Sequence, residues 1–136
     1  MRVENGFYVW KKGFVGKLSD HFTCREFECR CSYSDCTESR ISVDYMSNLE
    51  KARVEYGSPI KVTSGYRCLK HNRDIGSSDT SQHVLGNAAD TVPKDFTTES
   101  LDNWIKVVRK YFKSIGLAVN FVHTDGRTDN SREWVY

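Results

Sequence analysis

The chain has 136 residues, 38% of them hydrophobic, and 20 Lys and Arg against 18 Asp and Glu give a formal net charge of +2. A chain of that size forms one modest core, so a single domain is expected. The near balance of charge speaks against nucleic acid as a partner, which requires dense Lys/Arg clusters to neutralise phosphates, and no apolar run is long enough for membrane insertion.

Residues 1–17 set Gly6, Gly13 and Gly16 among Phe7, Tyr8, Val9, Trp10, Phe14 and Val15, and they read as an N-terminal aromatic arm on a domain spanning 18–136. Met1 to Val15 lacks the apolar stretch of a signal peptide, so the expectation is cytoplasmic synthesis, with release or carriage by another agent if the protein works outside. Thr23, followed three residues on by Glu26, suits the N-cap and capping-box partner of a short helix. Cys29 to Ser39 is polar and reads as a loop. Five cysteines, an odd number, without a secretion leader argue against a disulfide framework. Cys29, Cys31, Cys36 and the distant Cys68 loosely match the spacing of a structural zinc site of four thiolates, which would staple this loop to the centre of the fold. Ordinary buried thiols are the alternative.

From Ser42, the recurrence of Tyr45, Met46, Leu49, Ala52 and Tyr56 at three- and four-residue intervals predicts an amphipathic helix ending near Gly57. Pro59 to Thr63 alternates as a strand, Ser64 to Arg67 turns, and Cys68 to Thr80 reads as a polar loop. Ser81 to Asp90 then carries His83 on a loop, a reversal at Gly86 where positive φ is allowed, and a strand ending in Asp90. On that geometry an imidazole and a carboxylate seven positions apart converge, which suits zinc once a third protein ligand is added and one position is left for water. Pro93 closes the strand. Thr97 or Thr98 caps a second helix with the stripe Leu101, Trp104, Ile105, Val108 and Phe112, ended by Gly116, while Lys106, Arg109, Lys110 and Lys113 form a solvated basic face. Leu117 to Asp125 is β-rich, and Arg132 to Tyr136 makes a last short strand. The order describes an α+β fold, a single small domain with a mainly antiparallel sheet and helices packed on it.

Of the four histidines, His83 and His123 sit in or beside predicted strands next to carboxylates, which makes His123 the natural third ligand. Residues two apart on a strand share a face, so Asp125 points the same way as His123. Two assignments stand. Either His83, Asp90 and His123 bind the metal and Asp125 takes the proton from the attacking water, or Asp125 is itself a ligand and His123 handles protons.

Ser64-Gly65-Tyr66-Arg67, His71-Asn72, Ser81-x-His83-x-x-Gly86-x-Ala88-x-Asp90 and Phe121-Val122-His123-x-Asp125 resemble, in order and spacing, the zinc D-Ala-D-Ala carboxypeptidase family. These D-alanyl-D-alanine metallopeptidases share their fold with the signalling domain of hedgehog proteins. Leu18-Ser19-x-His21-Phe22, Glu26-Phe27-x-Cys29 and the helix carrying Leu49 and Arg53 extend the resemblance over most of residues 18–125. It implies a hedgehog-like fold, Zn2+ as cofactor, and hydrolysis of bonds involving D-amino acids in peptidoglycan stem peptides or cross-links, as a carboxypeptidase or endopeptidase. It further implies His83, Asp90 and His123 as metal ligands, Arg67 as a catalytic and substrate-binding cation, Ser81 as a group that orients substrate or a ligand, and structural roles for His21 and His71. Many members carry Glu or Asp three residues before the last histidine as the base, and here that position is Asn120. The proton then falls to Asp125, or the chain is a zinc-containing module that binds wall peptide or a protein without cutting it. Small size and a wall substrate also resemble a bacteriophage endolysin or virion-borne hydrolase, a monomer acting at the bacterial cell wall after release or as a particle component.

Overall fold

The computed structural model describes residues 1–136. In chain order the elements are β1 (Arg2–Glu4), β2 (Phe7–Lys11), β3 (Lys17–Ser19), β4 (Phe22–Thr23), α1 (Cys24–Phe27), β5 (Glu38–Ser42), α2 (Val43–Tyr56), β6 (Ile60–Ser64), α3 (Leu69–Asp74), α4 (Gln82–Leu85), β7 (Ala88–Pro93), α5 (Thr98–Val108), β8 (Ser114–Leu117), β9 (Val122–Asp125) and β10 (Arg132–Val135). No helix is long and apolar enough to cross a membrane.

The helix expected from Ser42 forms as α2. Ser42 Oγ accepts from the Tyr45 amide (3.1 Å), Gly57 closes the other end at a φ of 80°, and Tyr45, Met46, Leu49 and Ala52 are buried. Glu26 accepts from the Thr23 amide at 2.9 Å, as the capping-box spacing requires. In the main sheet the strands run in the order β10-β8-β9-β7-β6, antiparallel except for the parallel pair β8–β10. Helices α2 and α5 pack on each other, and α5 lies against β7. Between them and the sheet Trp104, Leu101, Val108, Leu49 and Met46 meet Ala89, Val122, Ile115 and Val62. Two buried hydrogen bonds pin this layer, Trp104 Nε1 to Thr91 Oγ1 and Tyr45 Oη with Thr124 Oγ1, both 2.9 Å.

Because strand side chains alternate faces, committing Ala89, Thr91, Val122 and Thr124 to the helices turns Ala88, Asp90, His123 and Asp125 to the other side. The register sets Asp90 directly opposite His123. The polar groups therefore gather on the face that α2 and α5 leave free, and the segments around α3 and α4 cover them.

Residues 1–17 supply β1 and β2, which pair with each other and, through β2, with β5 in a second sheet, and Trp10 enters the core. Four local expectations change. Cys68 to Thr80 is not all loop, since Cys68 caps α3, its Sγ accepting from the His71 amide at 3.4 Å. His83 rides on the single turn α4, and β7 runs through Asp90 to Pro93 instead of ending at Asp90. Helix α5 stops at Val108, and Gly116 lies inside β8, where an added Cβ would sit 2.7 Å from the Trp134 ring. The expected run from Leu117 to Asp125 is a hairpin of β8 and β9 interrupted at 118–121.

Candidate metal centre and its cleft

Three local devices deliver three side chains to one point. Ser81 Oγ accepts from the His83 amide (3.2 Å) and starts α4, and Gly86 ends it at a φ of 76°, so His83 is held between a cap and a reversal. Asp90 and His123 come from the paired positions of β7 and β9. His83 Nε2 lies 3.2 Å from Asp90 Oδ1, His123 Nδ1 lies 3.1 Å from the same oxygen, and the two ring nitrogens are 3.2 Å apart. All three residues are buried.

The far side of each ring fixes its proton. His83 Nδ1 is 2.7 Å from the Gly65 carbonyl, which can only accept, so that nitrogen carries the hydrogen and Nε2 presents a lone pair. His123 Nε2 is 2.9 Å from Asp125 Oδ2, which leaves Nδ1 as the inward lone pair. In these neutral tautomers, the ones a metal requires, two lone pairs and a carboxylate oxygen face one another. Such a triangle is satisfied by a cation. Tetrahedral zinc with nitrogen ligands at about 2.0–2.1 Å sets ligand atoms roughly 3.3 Å apart, close to the separations found, so the donor set fits zinc. Burial works to raise the Asp90 carboxyl, yet hydrogen bonding and charge from the His123 and His83 rings outweigh it and hold the group well below the usual carboxylate range, so Asp90 faces the rings ionised. On His123, burial lowers the ring's proton affinity, and Asp125 and Asp90 more than reverse this.

Arg67 stands beside the centre. Its Nη2 is 3.4 Å from Asp90 Oδ2, the oxygen that does not face the rings, its Nε donates to Ser64 Oγ (3.0 Å) and its Nη1 to Asn72 Oδ1 (3.0 Å). Asn72 is wholly buried and its Nδ2 donates to the Ser78 carbonyl at 2.8 Å. The His71-Asn72 pair thus has a physical reading: Asn72 ties the guanidinium to the loop at 77–80. His71 is half-buried outside the cleft, and His21 bonds Glu50 at 2.6 Å, far from the centre.

The centre opens into a cleft of about 570 Å³ lined by Arg67, residues 75–78 and 80–82, His83, Asp90, His123, Phe121, Arg127, Trp134 and Tyr136. The aromatic wall was not anticipated as part of the site. The Trp134 ring lies 5.3 Å from the His123 ring, and Tyr136 packs on both Trp134 and Phe121. The period-two placement of Trp134 and Tyr136 in and just after the last strand was the available signal, but the parallel pairing with β8 that carries them to the centre is a long-range fact.

Asp125 shares a face with His123 as the strand period required, but its carboxylate lies behind the ring. It has no exposed surface and accepts from His123, Ser114 Oγ (2.8 Å) and Arg127 through the amide (3.1 Å), Nε (2.9 Å) and Nη2 (2.9 Å). Burial raises this carboxyl, and His123, Arg127 and Ser114 together pull it well below its ordinary value. Asn120 is exposed in the turn before β9, outside the cleft lining. Asp90 is the only carboxylate that lines the cleft.

Cys29, Cys31, Cys36 and Cys68 form a second group whose sulfurs converge, and Cys24 lies apart in the core. Residues 20–125 match the model of the family described as Peptidase M15. No curated protein matches the chain.

Proposed function

The chain belongs to the peptidase M15 family, matched over most of its length, and from that premise we propose that it is a zinc metallopeptidase hydrolysing bonds that involve D-amino acids in peptidoglycan stem peptides or cross-links. The observation that carries this reading is the triangle of His83 Nε2, Asp90 Oδ1 and His123 Nδ1, with both outer ring nitrogens engaged and Arg67 alongside. Zinc held there supplies a Lewis acid for the scissile carbonyl and lowers the pKa of water towards ~7.

The chain's own residues do the rest. Arg67 uses three of its donor positions internally and lines the cleft, so its remaining N–H groups meet a substrate carboxylate or the oxygen on which charge develops. Because Ser64, Asn72 and Asp90 hold the guanidinium, no reorganisation is needed during the reaction. Ser81 acts on the ligand that it positions, by capping the turn that carries His83. Phe121, Trp134 and Tyr136 offer an apolar wall for small side chains such as the methyl group of alanine, and Ser77, Ser78, Thr80 and Gln82 supply polar lining to the same cleft. A wall substrate suits a lysis or particle-borne enzyme that reaches peptidoglycan from outside the cytoplasm.

One observation favours a second reading. The cleft contains no carboxylate beyond Asp90, so a zinc-containing module that holds wall peptide without cutting it fits the same residues. Incubating zinc-loaded protein with purified peptidoglycan and assaying new amino termini separates the two. Release of termini, lost together with one equivalent of zinc in His83→Ala, is the expected result. Binding to peptidoglycan without release from the wild-type chain would establish the module instead.

A further inference from the structure

We infer that Cys29, Cys31, Cys36 and Cys68 form a second metal site, a tetrahedral tetrathiolate that takes zinc and braces the cleft from behind. The four sulfurs lie within 4.8 Å of one another. Cys31 Sγ and Cys68 Sγ are 3.7 Å apart, whereas a disulfide needs about 2.05 Å. Zinc–sulfur bonds of about 2.3 Å in a tetrahedron set sulfurs roughly 3.8 Å apart, so the observed pair has the spacing of a tetrahedral edge.

The surroundings suit thiolates. The Cys68 amide donates to Cys29 Sγ (3.3 Å) and the His71 amide to Cys68 Sγ (3.4 Å). Lys12 Nζ reaches Cys31 Sγ at 3.2 Å and the Cys31 carbonyl at 2.9 Å. Four thiolates around one divalent cation carry excess negative charge, and an ammonium with two amides offsets part of it. Cys24 provides an internal contrast. It is wholly buried in the apolar core, and its Sγ lies 3.8 Å from the Met1 sulfur with no other cysteine beside it.

Apart from the thiols, the segment that the site would hold is tied by single polar contacts, among them Arg30 Nη2 to the Val62 carbonyl (3.0 Å), Tyr33 Oη to Asp74 and Lys70 Nζ to Asp35 at the surface. Residues 29–37 contain no helix or strand, and Tyr33, Ser34 and Asp35 are exposed. A metal there joins this loop to Cys68, which adjoins Arg67 and caps the helix bearing Asn72. The other wall of the same segment is α1, whose last residue, Phe27, accepts from the Tyr66 amide at 2.9 Å. The tetrathiolate thus fixes the backbone on both sides of the cleft's arginine without touching substrate.

The test uses the full chain with His83→Ala, which removes the other centre and leaves all four cysteines. Purified in zinc-containing, chelator-free buffer, it is expected to keep one equivalent of zinc by elemental analysis, against two for the wild type, and to release it on titration with an organomercurial thiol reagent. Replacement with Co2+ should give the strong near-ultraviolet sulfur-to-cobalt charge-transfer bands of thiolate ligation in both chains. Cys31→Ser, at a half-exposed position, should weaken those bands and lose this equivalent while keeping the one at His83. A folded His83→Ala chain with no bound zinc, cobalt spectra without thiolate bands, or a disulfide joining Cys31 and Cys68 in the purified protein would each overturn the inference. If Cys31→Ser fails to fold, the spectra of the cysteine-intact chains decide alone. Loss of peptidoglycan hydrolysis with the thiolate bands intact would count against the proposed peptidase and leave this site standing.

Discussion

Asp125 shows at the scale of one residue how far a spacing argument reaches. Two positions after His123 on a strand, it had to share that residue's face, and it does. The period gives the face but not the depth, and a proton acceptor must see the cleft. The carboxylate instead meets His123 Nε2 from behind at 2.9 Å, with Arg127 and Ser114 closing its other sides. A partner of this kind fixes the tautomer and orientation of a metal-binding imidazole, and its loss commonly costs 10–100-fold in metal affinity. Asp125→Asn is therefore expected to fold, to bind zinc roughly 10–100-fold more weakly in chelator competition, and to recover most of its turnover at saturating zinc. Unchanged zinc affinity with no turnover would make Asp125 the proton acceptor after all.

At the scale of elements, the sequence announces those that carry their own apolar stripe or caps. Helix α2 has both, and β6 shows clear alternation. The single turn α4 and the six-residue α3 have neither stripe nor length, and capping by Ser81 and Cys68 defines them. Gly65 reads in sequence as part of a turn, but not as a close contact. A Cβ there would lie 2.5 Å from Phe27 Cα and 2.7 Å from the Phe27 carbonyl oxygen, backbone atoms that no rotamer change can move. The same residue offers the carbonyl that sets the His83 tautomer. Gly65→Ala should thus cost about 1–3 kcal/mol of stability by overpacking and also weaken zinc binding. Gly57→Ala is the control: its φ of 80° makes the change strained, but nothing lies within 4 Å of the added carbon. Thermal melts and chelator competition should show both variants destabilised and only Gly65→Ala impaired in zinc binding. Equal zinc affinity in the two would remove Gly65 from the site's support.

For the whole molecule, the family match covers 20–125, and a strand system on either flank completes the structure. The first flank brings Trp10, only 1% exposed, into the core beneath β5. The last brings β10 alongside β8, with Trp134 over Gly116 and its ring against His123. Both flanks were readable as aromatic and strand-like, but not what their aromatics touch, because those partners are distant in the chain. The two tryptophans should therefore fail in opposite ways. Trp10→Ala empties a packed site and is expected to cost about 3–5 kcal/mol, a large share of the roughly 5–15 kcal/mol that holds a domain, while the fraction still folded keeps its zinc and its KM. Trp134 is half-buried and belongs to the cleft wall, so Trp134→Ala should shift Tm far less and raise KM for peptidoglycan peptides. Denaturation and steady-state kinetics on both variants distinguish the roles. A Trp134→Ala protein as unstable as Trp10→Ala, with KM unchanged, would make the C-terminal strand a structural brace and leave the cleft without its aromatic wall.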